Sequence, residues 1–160
     1  MKKLGILLVL LFSLNLQGED MVLENTQVGN FSSTAINNKG DWIVASQLGA
    51  YLNGELVLEN ESIGNFAVAR INERGDWLVA SLFGVFLNGN QVLDTNQVGP
   101  DVGAHLNEKG DWIVSSLLGA YINGKQILSN QEVGGDSDAW INDHGDWIVS
   151  SVKGAIKGKM

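Results

Sequence analysis

The tripeptide Gly-Asp-Trp occurs four times in this chain, at Gly40-Asp41-Trp42, Gly75-Asp76-Trp77, Gly110-Asp111-Trp112 and Gly145-Asp146-Trp147, always 35 residues apart. One unit is duplicated in tandem without insertion or deletion, so the fold is expected to be repetitive. A shift of 35 also aligns Asn37, Asn72, Asn107 and Asn142, then Ser46, Ser81, Ser116 and Ser151, then Leu23, Leu58, Leu93 and Leu128. The likeness therefore spans the whole period.

Each unit reads as four short strands. The first ends at Ala35-Ile36-Asn37. The second is Asp41 to Ser46, rich in aromatic and β-branched residues. The third is Ala50-Tyr51-Leu52, and the fourth is Leu56 to Glu59. Between the last two stands Asn53-Gly54, repeated as Asn88-Gly89 and Asn123-Gly124. Asn-Gly accepts positive φ at both central positions of a type I′ turn, a strong hairpin signal. These runs are too short and too interrupted by Gly for ordinary helices.

Connection lengths set the expected topology. Three tight links make a meander, and a longer link such as Asn60 to Asn65 leads to the next unit. That is the plan of a propeller blade, in which the chain leaves the outer strand and returns to the inner strand of the next blade. The second strand is apolar on both faces, as a sheet stacked between neighbours requires. Residues 21–160 number four times 35, beginning in fourth-strand phase at Met21-Val22-Leu23-Glu24 and ending soon after the third strand of the last copy. The expectation is an all-β, four-bladed propeller whose N-terminal strand pairs with the last blade, leaving no open sheet edge. A half-ring that dimerises into eight blades is the alternative, and a fragment of a longer protein is a further one.

Upstream of the repeats, Lys2 and Lys3 precede a thirteen-residue apolar run from Leu4 to Leu16, followed by polar residues. This reads as a signal peptide over residues 1–18, since a membrane span needs ~20 apolar residues; an uncleaved anchor is the competing reading. The domain proper would be residues 19–160, secreted or periplasmic. Without Cys the chain has no disulfide and must be held by packing. Loss of Lys2 and Lys3 leaves 8 basic residues against 18 acidic ones, a net charge of −10. Such a surface argues against nucleic acid and against anionic membranes.

The pattern Ile-Asn-x-x-Gly-Asp-Trp-[Ile/Leu]-Val, followed by Gly-[Ala/Val]-[Tyr/Phe]-[Leu/Ile]-Asn-Gly, resembles uncharacterised propeller-type tandem repeats of secreted bacterial proteins. The resemblance covers about residues 21–160 and implies a fold, not an activity. Asn142-Asp143-His144-Gly145-Asp146-Trp147 is similar to the Asp-box of sialidase-like propellers. It lacks the Ser, however, and has Gly two positions before Trp instead of three. Trp-Asp repeats have the reverse order and longer blades.

Positions identical in every copy suit structure. Trp42, Trp77, Trp112 and Trp147 are expected to pack between blades. Asp41, Asp76, Asp111 and Asp146 are expected to accept turn N–H groups. A cation held by the four acids would need their oxygens within ~2.6 Å of one ion. The Trp beside each acid favours an orderly hairpin, so no metal is assigned. Positions that break the repeat are better functional candidates. Ala35, Arg70, His105 and Trp140 occupy equivalent places on the inner strand, and Asp138 lies two residues before Trp140. In a closed ring Arg70, His105, Trp140 and Asp138 would meet near the axis, where a few polar groups beside an indole suit a small polar ligand or sugar; tolerated substitution is the bland alternative. Asp136, Asp138 and Asp143 form a local acidic cluster without the spacing of a calcium loop.

Catalytic signals are thin. His105 and His144 are the only histidines, and the serines recur as part of the unit instead of standing in a nucleophile elbow. The expectation is a non-catalytic binding module without cofactor, whose partner is an extracytoplasmic protein or glycan, acting as a monomer or homodimer. A lectin-like carbohydrate binder is the second reading and a small hydrolase working with paired carboxylates the third.

Overall fold

The computed structural model describes residues 20–160. The segment 1–18 read as a signal peptide, and residue 19 where the domain is expected to start, lie outside the described residues. Among the described residues no helix is long and apolar enough to cross a membrane.

Four antiparallel sheets follow one another along the chain. The first contains β1 (Ser33–Ile36), β2 (Trp42–Ser46), β3 (Gly49–Leu52) and β4 (Glu55–Leu58) in sequence order. The second repeats this order with β5 (Val68–Ile71), β6 (Trp77–Ser81), β7 (Gly84–Leu87) and β8 (Asn90–Leu93). The third has β9 (Gly103–Leu106), β10 (Trp112–Ser116), β11 (Gly119–Ile122) and β12 (Lys125–Ser129). The fourth has only three strands, β13 (Asp138–Ile141), β14 (Asp146–Ser151) and β15 (Gly154–Lys159). The four-strand meander expected from the repeat is thus present in three units and shortened in the last.

The hairpin chemistry follows the sequence. Asn53 and Gly54 both take positive φ, +50° and +89°, as the I′ reading requires. The loop between β1 and β2 is tied by Asn37, whose Oδ1 accepts the N–H groups of Lys39 and Asp41 at 3.0 and 2.9 Å. Asp41 plays another part than expected. Its carboxylate accepts the side-chain amides of Asn37 (3.2 Å) and Asn53 (3.1 Å), because the asparagine has already taken the turn N–H groups. Asn53 Oδ1 in turn accepts the Trp42 N–H at 2.8 Å, so one short network locks two turns of the unit. Asp76 and Asp111 repeat it. The repeated serines are structural too: Ser46, Ser116 and Ser151 Oγ accept the N–H of Gly29, Gly99 and Gly134 in the link entering each unit.

Successive sheets stack through their first strands, β1 on β5, β5 on β9 and β9 on β13. Between each pair lies an apolar layer. Ile43, Ala45, Ala50 and Leu58 of the first unit meet Ala69, Trp77, Val79 and Phe86 of the second. The same positions, 35 residues on, build the next two layers. Each fully buried aliphatic side chain in them stabilises the stack by about 1.5–3 kcal/mol. Trp77 and Trp112 are buried in these layers as expected, whereas Trp42 and Trp147 in the end units are only half-buried.

The expected closure by the N-terminal strand is not seen among the described residues. Met21 to Glu24 form no strand and do not join the fourth sheet, in which β15 pairs with β14 alone. Val22 instead lies in a shallow cleft with Thr34, Ile36 and Trp42 on the uncovered face of the first unit, the nearest apolar surface open to it. No packing like that of β9 on β13 brings β13 to β1 among the described residues.

Candidate functional site

The inner strands carry the residues that break the repeat. Each strand pairs with its neighbour in the same register, Arg70 opposite Leu78, His105 opposite Ile113 and Trp140 opposite Ile148. Equal register on stacked sheets sets Ala35, Arg70, His105 and Trp140 in a row across the units. The neighbours one residue along, Ala69, Ala104 and Ala139, turn into the apolar layers and are buried. Strand alternation turns the row to the opposite face of each sheet, toward the next unit: Ala35 packs beside the first apolar layer, Arg70 and His105 are half-buried, and only Trp140, on the last unit, is exposed.

Within the row, the imidazole of His105 stacks on the indole of Trp140, with ring centroids 3.5 Å apart and planes 25° from parallel. Trp140 is 56% exposed despite this stack. His105 Nδ1 faces the Ile141 N–H at 3.4 Å, a long hydrogen bond that steadies the ring. Burial and the nearby Arg70 charge hold His105 below its usual pKa, while Asp138 and Asp143 pull the other way. Arg70 is lowered by burial and supported by the charge of Asp138. Its guanidinium Nη1 donates to the Ala69 carbonyl at 2.8 Å, and Asp138 Oδ1 accepts its neighbour's N–H from Ala139 at 2.9 Å. Arg70 and Asp138 thus act on His105 through space and form no ion pair with each other.

His105 and Trp140 open onto a shallow cleft of 410 Å³ whose rim includes Glu108 and Asp143. The acidic cluster read from Asp136, Asp138 and Asp143 does not converge. Asp143 Oδ1 accepts the Glu108 N–H at 3.0 Å, and Asp136 sits at a positive-φ turn position in the preceding link. Among the described residues no group of three or more His, Cys, Asp or Glu side chains is arranged to hold a metal ion. Asp41, Asp76, Asp111 and Asp146 are each tied within their own unit, Asp146 by Asn142 and by Lys159 Nζ at 3.2 Å.

One set of contacts escaped the reading of the sequence. Asn37 Nδ2 donates to the Asn72 carbonyl, Asn72 Nδ2 to that of Asn107, and Asn107 Nδ2 to that of Asn142, each at 3.0 Å. Beside this ladder a second one runs, from the N–H of residue 38 to the Glu73 carboxylate, from 73 to Glu108 and from 108 to Asp143. Its signal was available, since Asn38, Glu73, Glu108 and Asp143 all carry a side-chain oxygen 35 residues apart. The chain matches no known protein-family model, and no curated protein sequence matches it.

Proposed function

We propose that the chain is an exported, non-catalytic binding module in which each sheet is a propeller-type blade and the first strand of each blade faces the channel side. Its partner is a protein or glycan outside the cytoplasm. The observation that carries this reading is the His105–Trp140 stack with its exposed indole, flanked by Arg70 on the preceding inner strand and by Asp138 on Trp140's own strand. An exposed aromatic face beside a few fixed polar groups suits recognition more than chemistry. Arg70 is the sole arginine of the row.

The open indole favours a carbohydrate as the second, narrower reading. The C–H face of a pyranose ring can lie on Trp140 while its hydroxyls reach the rim carboxylates of Glu108 and Asp143. A glycan array probed with residues 20–160, and repeated with Trp140→Ala, tests both. Binding lost in the variant supports the carbohydrate reading. A blank array with a partner recovered from extracytoplasmic protein, and lost in Arg70→Ala with Trp140→Ala, supports the protein reading. No ligand in either arm, or a ligand indifferent to these substitutions, removes the row as the site.

A further inference from the structure

We propose that the uncovered face of the first unit and the uncovered face of the fourth are two halves of one junction, and that a second copy of this chain completes it. Two chains then close a ring of eight units. This goes beyond the ligand reading and rests only on the blade reading; Trp140 lies beside Ile148 on the fourth unit's bare face, so the junction and a ligand on the outer side of the indole would exclude each other.

Three junctions of this kind already lie inside the chain. Each sets the face carrying Ile43, Leu78 or Ile113 against the next unit's Trp-bearing face. Ile43, Leu78 and Ile113 are all 0% exposed; the fourth member of the series, Ile148, is 45% exposed. On the other end, Ile36 is 70% exposed, while its counterparts Leu106 and Ile141 are buried at 5% and 0%. What is bare at one end is the partner of what is bare at the other.

The hydrogen-bond ladders end in the same complementary way. At the fourth unit, Asn142 Nδ2 donates only to its own Asp146, and the Asp143 N–H has no partner among the described residues. At the first unit, among the described residues, the Asn37 carbonyl accepts only the Gly40 N–H and Asn38 Oδ1 accepts no hydrogen bond. Donors wait at one end and acceptors at the other, in the positions that are joined three times within the chain. A self-complementary two-fold patch would not have this polarity; a head-to-tail junction does, and it closes when its rotation allows.

The strand edges agree. Gly158 stands where Asn53, Asn88 and Asn123 open the turn into a fourth strand, and a Cβ there would run into the Trp147 indole. The fourth sheet is thus built without that turn, and among the described residues the outer edge of β15 has no partner strand. Met21-Val22-Leu23-Glu24 has the sequence of a fourth strand, nearly that of Leu56-Val57-Leu58-Glu59, and it lies at the bare face of the first unit. A fourth unit seated on that face would bring its β15 edge to this segment, which could then extend along it. The chain's own fourth unit does not pack there, so the occupant is the fourth unit of a second copy.

The mass of residues 20–160 in solution, by light scattering and native mass spectrometry over a range of concentrations, is the first test. The expected result is a dimer. Ile36→Asp and Ile148→Asp should each give a monomer with an unchanged far-UV spectrum, because both side chains are exposed in the single chain. Mixing the two variants restores one intact junction and should recover a weaker dimer. Hydrogen exchange then expects Met21 to Leu23 to gain protection as the dimer forms. A monomeric parent, a dimer indifferent to both substitutions, or no recovery on mixing would overturn the proposal. A monomer with Met21 to Leu23 protected at every concentration would overturn it in favour of self-closure. Should either variant misfold, the parent mass and the exchange of residues 21–23 still decide.

Discussion

The two central units and the two end units have nearly the same sequence and quite different surroundings. β6 and β10 are buried along their whole length, while β2 is buried at three of its five residues and β14 at one of its six. Trp77 and Trp112 lie in closed layers, and Trp42 has the same neighbours in sequence but only half the cover. The lesson is that a repeat residue has no fixed energetic weight. Its contribution comes from the unit on its far side, as nearest-neighbour descriptions of repeat proteins hold.

The largest effect expected from this contrast lies at the tryptophans. Trp112→Ala should destabilise by about 3–5 kcal/mol, the usual range for emptying a buried aromatic site. Trp42→Ala should cost less than half of that when measured on single chains. Urea unfolding of both variants at high dilution checks the difference, and equal losses would mean that the first unit is covered even in the monomer.

A smaller difference is expected at the asparagine ladder. Asn107→Ala removes the bond to the Asn142 carbonyl as well as the local turn bonds, whereas Asn142→Ala removes only local ones. The central substitution should exceed the terminal one by about 1 kcal/mol, the net worth of one hydrogen bond. Denaturant midpoints at high dilution, where single chains prevail, report it, and a larger loss at Asn142 would reverse the ordering of central and end units.

The smallest effect concerns protonation where the third unit meets the fourth. His105 binds its proton less readily in the folded chain than when unfolded. A depressed folded pKa contributes stability that is present above the unfolded value, near 6.5, and is lost as pH falls through the folded one. Between pH 7.5 and 5.5 the parent should therefore lose more Tm than His105→Gln. The imidazole proton resonances of His105 should titrate with a midpoint below 6.5. Arg70→Gln should raise that midpoint, since the Arg70 charge is one cause of the shift; an unmoved midpoint would place Arg70 too far away to matter.

Much of the fold was legible because its signals are local. Asn53-Gly54 needs only its own backbone preferences to turn, and the alternation in Ala69-Arg70-Ile71 already says which side chain leaves the layer. The row of Arg70, His105 and Trp140 could be read because a constant period turns sequence position into spatial register. The stack of His105 on Trp140 could not be read, since it depends on the separation and tilt of two sheets. Asp41 was assigned to the right turn and the wrong donors. Two side chains could serve those N–H groups, and only the coordinates show Asn37 taking them.

By itself the sequence determined the unit, its strand order, its turns and the number of copies, because each is fixed by short-range preference and exact repetition. Tertiary structure alone decided which copies are covered, where Met21 to Glu24 goes and which rings touch. Those outcomes depend on how one sheet is angled against the next, a quantity that no residue carries and only the stacked set defines.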